Sequence, residues 1–262
     1  MKVALTVAGS DSGGGAGIQA DLLTFAAHGI HPTSAITAVT AQNSVAVTAW
    51  AAIDPQLVAK QIEAVADDMD VAAVKTGMLG EAAIVRIVAE TLARLGLPHL
   101  VVDPVMVAKS GDRLLTPEAV EAYREHLLPL AEIVTPNLPE AEVLLERPVR
   151  ELAAMRDAAS ELCRRGARAA VVKGGHLEGD AVDVLCDGGE LHELRAARID
   201  TRNTHGTGCT FSAAIAARLA LGASRLEAVR GAKLYLTEAL RRSYSVGSGH
   251  GPVDHLHPLR RG

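Results

Sequence analysis

Short apolar runs rich in Val, Ile, Leu and Ala recur at residues 3–8, 34–40, 71–75, 99–103, 131–135 and 169–173, and longer helical patterns alternate with them. This alternation is the signature of βαβ units and calls for a mostly parallel sheet covered by helices. Helical patterns fall at 18–28, 54–67, 81–95, 116–127, 139–146, 151–165, 208–221 and 224–244. Asp54-Pro55 and Thr116-Pro117 each supply a capping oxygen followed by a residue with no N–H to orphan. Ser224 and Glu227 have capping-box spacing. Residues 182–186 and 191–195, joined through Asp187-Gly188-Gly189, predict a hairpin at a sheet edge.

A chain of 262 residues suits one large α/β domain or two small ones. No linker, charge block or repeat divides it, so residues 1–262 read as a single doubly wound α/β sandwich with an antiparallel edge. Aromatic residues make up 2% and the net charge is −5, which argues against a nucleic-acid partner needing stacking platforms and a basic groove. Cys163, Cys186 and Cys209 are odd in number and widely spaced, which fits neither a disulfide framework nor a zinc site. The N-terminal residues open a strand and a glycine loop rather than a signal peptide. No segment reaches the ~18 apolar residues of a membrane helix. The expectation is a cytoplasmic protein with no membrane partner.

In doubly wound sheets ligands bind beyond the carboxyl ends of the strands, and the polar and glycine-rich loops fall there. Residues 9–17, GSDSGGGAG, match neither G-x-G-x-x-G nor a P-loop, yet their glycines let a ligand approach the backbone. Residues 203–210, NTHGTGCT, precede an Ala-rich helix whose first N–H groups would form an anion site. The same field is expected to lower the thiol pKa of Cys209; the alternative is a small buried hydrophobe at a helix end. Asn137 and Glu140 have the spacing of a magnesium pair or of a simple helix cap. Lys173 ends a strand beside Gly174 and Gly175 and suits a nucleotide phosphate or ordinary solvent. His176 and His205 read as polar surface or core histidines.

AGSDSGGGAGIQAD (8–21), TAQNS (40–44), KTGML (75–79), VVDPVM (101–106), AKSGD (108–112), TPNLPEA (135–141), VKGGH (172–176) and NTHGTGCT (203–210) run nearly the length of the chain. In this order and spacing they resemble the ribokinase-like family, in its hydroxymethylpyrimidine kinase branch. The resemblance implies a three-layer αβα sandwich using ATP and Mg2+. Carried over by position, it puts a pyrimidine near Gly9, Asp21 and Gln42, with Met78 and Val105 as walls. It makes Gly206, Thr207 and Gly208 an anion hole and Cys209 the catalytic base. Asn137, Lys173 and Lys233 become nucleotide contacts, and Glu140 and Asp103 magnesium ligands. Family members are often dimers.

The activity implied is transfer of the ATP γ-phosphoryl group to 4-amino-5-hydroxymethyl-2-methylpyrimidine and then to its monophosphate, in thiamin biosynthesis. A pyridoxal kinase is the nearest alternative, since that substrate is also a flat heteroaromatic ring bearing a hydroxymethyl group. A non-catalytic sensor would be free to lose the anion-hole and magnesium residues, all of which are present. Cys209 stands where most sugar kinases of the family carry Asp. The AKSGD stretch suits a flap.

Overall fold

The computed structural model describes residues 1–106, 115–175 and 179–260. The AKSGD flap and His176 lie outside the described residues. Among the described residues nine strands form one sheet in the order β3-β2-β1-β4-β5-β6-β7-β8-β9. Strands β1 (Val3–Asp11), β2 (His31–Gln42), β4 (Val71–Thr76), β5 (Leu100–Val102), β6 (Ile133–Val134) and β7 (Ala169–Lys173) run parallel. Strand β3 (Val47–Ala52) pairs antiparallel with β2. At the far edge β8 (Ala181–Asp187) and β9 (Glu190–Ala196) form the expected hairpin. Its two-residue turn is Gly188-Gly189, with φ of 59° and 87°, the pair of positive values that a tight hairpin turn requires.

Neighbouring strand residues point to opposite faces, and both faces are buried. Leu5, Val74, Val102, Val134, Ala170 and Val172 join the core on one side. Ala4, Ala73, Val101, Ile133, Ala169 and Val171 join the core on the other. The first face is covered by α2 (Pro55–Ala66), α3 (Ala82–Leu95), α4 (Pro117–Ala122), α5 (Leu138–Leu145) and α6 (Leu152–Arg164). The second is covered by α1 (Gly17–Ala27), α7 (Thr207–Ala220) and α8 (Arg225–Arg241). The result is the three-layer αβα sandwich, with apolar strands burying both surfaces as parallel sheets do.

The caps behave as their residue types dictate. Asp54 accepts from the Leu57 N–H at 3.1 Å, and Ser224 and Glu227 close a reciprocal capping box. Two expectations need correction. The helix placed at 116–127 is a regular helix only to Ala122; Tyr123–Leu127 widens into a π turn and Leu128–Leu130 tightens into a 3₁₀ turn. Pro129 explains this: it has no N–H for the ladder, and its ring crowds the carbonyl four residues earlier. The second correction is β3, absent from the sequence reading, which makes both edges of the sheet antiparallel.

Candidate active site

The chain leaves β1 toward β2 on one side and, later, β4 on the other, so the strand order reverses between β1 and β4. A crevice opens at such a switch point. Here it is a cavity of about 640 Å³ running from the end of β2 to α8. Gly9 sits at its head, its N–H donating to the Met78 carbonyl at 3.1 Å and tying β1 to the turn after β4. A Cβ on Gly9 would come within 3.3 Å of Met78 Sδ, so glycine keeps this corner open. Gln42, Met78 and Val105 complete this end, and all line the cavity.

Asp21 does not. It lies on the inward face of α1 with no exposed surface. Lys75 Nζ donates to Asp21 Oδ2 at 2.8 Å and Thr6 Oγ1 at 2.6 Å, while Oδ1 has no partner. The assignment of Asp21 as a substrate contact is therefore corrected: its carboxylate is spent beneath the cavity floor on a buried ammonium. Lys75, which the sequence reading did not single out, is held charged by that carboxylate against the opposing effect of burial.

Gly206 caps α7 with φ of 77°, and a side chain there would overlap the Gly15 carbonyl. Glycine alone lets the second loop slide under the first, carrying Thr207, Gly208 and Cys209 to the middle of the cavity wall. The first turn of α7 thus offers N–H groups and the positive end of a helix to an anion. Cys209 is half-buried. Its pKa departs from expectation. Burial pushes the thiol up to about 11, against the lowering influence of Lys75 and the Gly17 N–H. The helix field is present, but loss of solvent outweighs it.

Beyond Cys209 the cavity is lined by paired charges. Lys173 Nζ lies 3.0 Å from Asp103 Oδ1 and 4.0 Å from Glu140 Oε2. Burial would raise the Asp103 pKa, but Lys173 and Lys75 outweigh it and hold it ionised. Glu140 is pushed up to about 7, chiefly by burial and further by the Asp103 charge, with Lys173 opposing. Asn137 and Glu140 form a full capping box: the Asn137 side chain accepts from the Glu140 N–H at 2.9 Å, and Glu140 Oε2 accepts from the Asn137 N–H at 2.8 Å. The cap is thus realised, with Glu140 still lining the cavity. At the far end Lys233 donates to Asp183 at 2.7 Å, and Asp183 accepts the Gly174 N–H at 3.0 Å.

Sequence reasoning also passed over Asp11 and undervalued His205. Asp11 accepts from the N–H groups of Gly13, Gly15 and Ala16 and lies 2.8 Å from His205 Nε2, locking the two glycine-rich loops together. The signal was present: both residues stand inside the two motif loops.

The family profile described as phosphomethylpyrimidine kinase matches residues 11–254. A hydroxymethylpyrimidine/phosphomethylpyrimidine kinase of Rhizobium meliloti is 52% identical, covering 97% of each chain. The chain belongs to the phosphomethylpyrimidine kinase family. A thiamine biosynthesis bifunctional protein of Geobacter sulfurreducens is 50% identical over 96% of this chain and 52% of its own length. Among solved structures, an ADP complex of Bacillus subtilis pyridoxal kinase superposes with a TM-score of 0.91 at 41% identity, covering 97% of each chain. Like its relatives in the phosphomethylpyrimidine kinase family, the chain is a phosphotransferase.

Proposed function

We infer that the chain, acting as one domain over residues 1–262, phosphorylates 4-amino-5-hydroxymethyl-2-methylpyrimidine and then the resulting monophosphate, in thiamin biosynthesis. The observation that carries this reading is a single cavity with Gly9, Gln42, Met78 and Val105 at one end, a helix N-terminus at its middle, and lysines paired with carboxylates beyond. A flat heteroaromatic ring fits the first end, and its hydroxymethyl group then faces Cys209. The N–H groups of Gly206, Thr207 and Gly208 hold the transferring phosphoryl group, and Lys173, Lys233 and Asn137 orient the nucleotide. Phosphoryl transfer asks mainly for such positioning and charge neutralisation.

As the new P–O bond forms, the substrate hydroxyl loses its proton to the thiolate form of Cys209, which becomes the thiol, and the bond from the γ-phosphorus to the ADP oxygen breaks. Burial pushes the thiol up to about 11, so at neutral pH the base is the minor thiolate fraction, which grows as the pH rises. Asp103 and Glu140 fit a magnesium ion: two hard carboxylates share one lysine, and Mg2+ binds through one or two carboxylates with phosphate and water completing its shell. Bound there, Mg2+ would neutralise charge on the β- and γ-phosphates.

A phosphorus NMR time course with ATP, magnesium and the hydroxymethylpyrimidine, run beside pyridoxal, tests the reading. The expected result is a monophosphate succeeded by a diphosphate. Transfer to pyridoxal alone would move the protein to the pyridoxal kinases, and transfer to neither would leave a binding protein.

A further inference from the structure

Gln42 Nε2 lies 3.4 Å from His205 Nε2, and Gln42 Oε1 lies 3.2 Å from Thr40 Oγ1. Hydrogens cannot be distributed consistently over that arrangement. Asp11 already accepts three backbone N–H groups at 2.8, 3.1 and 2.9 Å, so it serves as an acceptor-only carboxylate. Burial alone would raise its pKa, but the bonds from His205 and the backbone outweigh burial and hold it low. His205 Nε2, 2.8 Å from Asp11 Oδ2, must then carry a hydrogen. A ring nitrogen that carries hydrogen has no lone pair to offer an amide NH2. On the other side, Thr40 Oγ1 has one hydrogen and gives it to the Ser10 carbonyl at 2.9 Å, so toward Gln42 it can only accept. Both conflicts vanish if the Gln42 amide is turned half a rotation about its last bond.

We propose that Gln42 turns its carbonyl oxygen to His205 and its NH2 group to Thr40, so that the Asp11–His205 pair fixes the order in which Gln42 offers a donor and an acceptor to the substrate ring. This rests on the reading of the Gln42 end as the ring's seat. After bonding to Thr40 and His205, the amide keeps one N–H and one oxygen lone pair for a ligand. These match a ring nitrogen beside an exocyclic amine, in one order only. A turned amide would present the reverse order and would seat the ring upside down, carrying its hydroxymethyl oxygen away from Cys209. A pyridine ring with a phenolic oxygen and no amine does not read that order. His205 is thereby a positioning residue that contributes specificity through Gln42.

The pair is well fixed. The His205 backbone N–H donates to the Gly251 carbonyl at 3.0 Å, and the imidazole lies where a side chain on Gly15 would overlap it.

The test uses the ligand-free protein labelled with nitrogen-15 in histidine and glutamine. We expect hydrogen on His205 Nε2 and dipolar contacts from the Gln42 NH2 protons to the Thr40 side chain. A bare Nε2 with the Gln42 NH2 protons against the imidazole would overturn the proposal. In kinetics, His205→Ala should raise KM for the aminopyrimidine about tenfold, more than it lowers kcat, with the KM for pyridoxal little changed. Thr40→Val, which leaves the α7 loop untouched, should do the same. Equal losses on both substrates, or a fall in kcat with KM unchanged, would refute the specificity role. If the wild type does not phosphorylate the aminopyrimidine, the functional reading fails, while the NMR experiment still decides the amide's orientation.

Discussion

Cys209 is subject to opposed influences: a helix N-terminus and the Lys75 ammonium favour the thiolate, and burial opposes it. Burial prevails, and the thiol titrates near 11. Cys209→Ala should therefore lower kcat by about 10²–10⁴, the usual range for a lost general base, with KM unchanged. The pH profile carries the sign. A group that must be deprotonated and titrates near 11 gives a rate that climbs with pH through the neutral range and beyond pH 9. In Cys209→Ala that slope should disappear; an unchanged slope would assign it to another group. Beneath the floor, Lys75→Met would strand the fully buried Asp21 carboxylate at a cost of about 3–5 kcal/mol, read by urea unfolding. Adding Asp21→Asn should recover much of the loss. Gly9, Gln42, Met78 and Val105 were placed by the family resemblance, and all four line the cavity at or near the carboxyl ends of β1, β2, β4 and β5. Asp21 does not: a motif fixes a residue's place in the chain but not which way its side chain leaves the helix. Four residues beyond Gly17, Asp21 faces the sheet.

At the scale of elements, strands buried on both faces announced themselves as apolar runs, and most helices did so through caps and periodicity. Strand β3 did not. Its sequence, VTAWAA, is mostly exposed and shows no alternation, and only its pairing with β2 makes it a strand. The π turn after Ala122 was equally hidden, since Pro129 acts on the helix behind it. The Tyr123 hydroxyl, donating to the Gly77 carbonyl at 3.0 Å, then fastens that turn to the sheet. The loop before α7 was legible as a motif, but not as a structural joint. Gly206→Ala tests the joint. The added carbon would overlap the Gly15 carbonyl, and the left-handed φ of 77° would be strained as well. We expect a loss of stability of about 1–3 kcal/mol together with loss of phosphoryl transfer. Full activity in that variant would show that the two loops need not be in contact.

For the whole molecule, acid stability follows from a buried histidine behind α8. His255 is 3% exposed, its Nε2 has no partner among the described residues, and burial lowers its pKa to about 4. In the unfolded chain a histidine titrates near ~6.5. Between the two values the unfolded state holds a proton that the folded state lacks, so protonation pulls toward unfolding. Stability is complete above pH ~6.5 and falls as the pH drops toward 4, by on the order of 3 kcal/mol. Urea midpoints measured across that window should follow this slope, and His255→Leu should flatten it. The overall architecture was the most legible level, because alternating strands and helices leave few arrangements open. The link between distant parts of the chain was the least legible, since no local pattern encodes it.

The join between the two loops also bears on synthesis. Residues 9–17 leave the ribosome early, yet Asp11 bonds to His205, His205 is held by Gly251 and bridges to Pro252, and the Tyr235 hydroxyl reaches the His255 carbonyl. A nascent chain can lay down its sheet strand by strand, but the catalytic wall cannot close until residues beyond 250 have emerged.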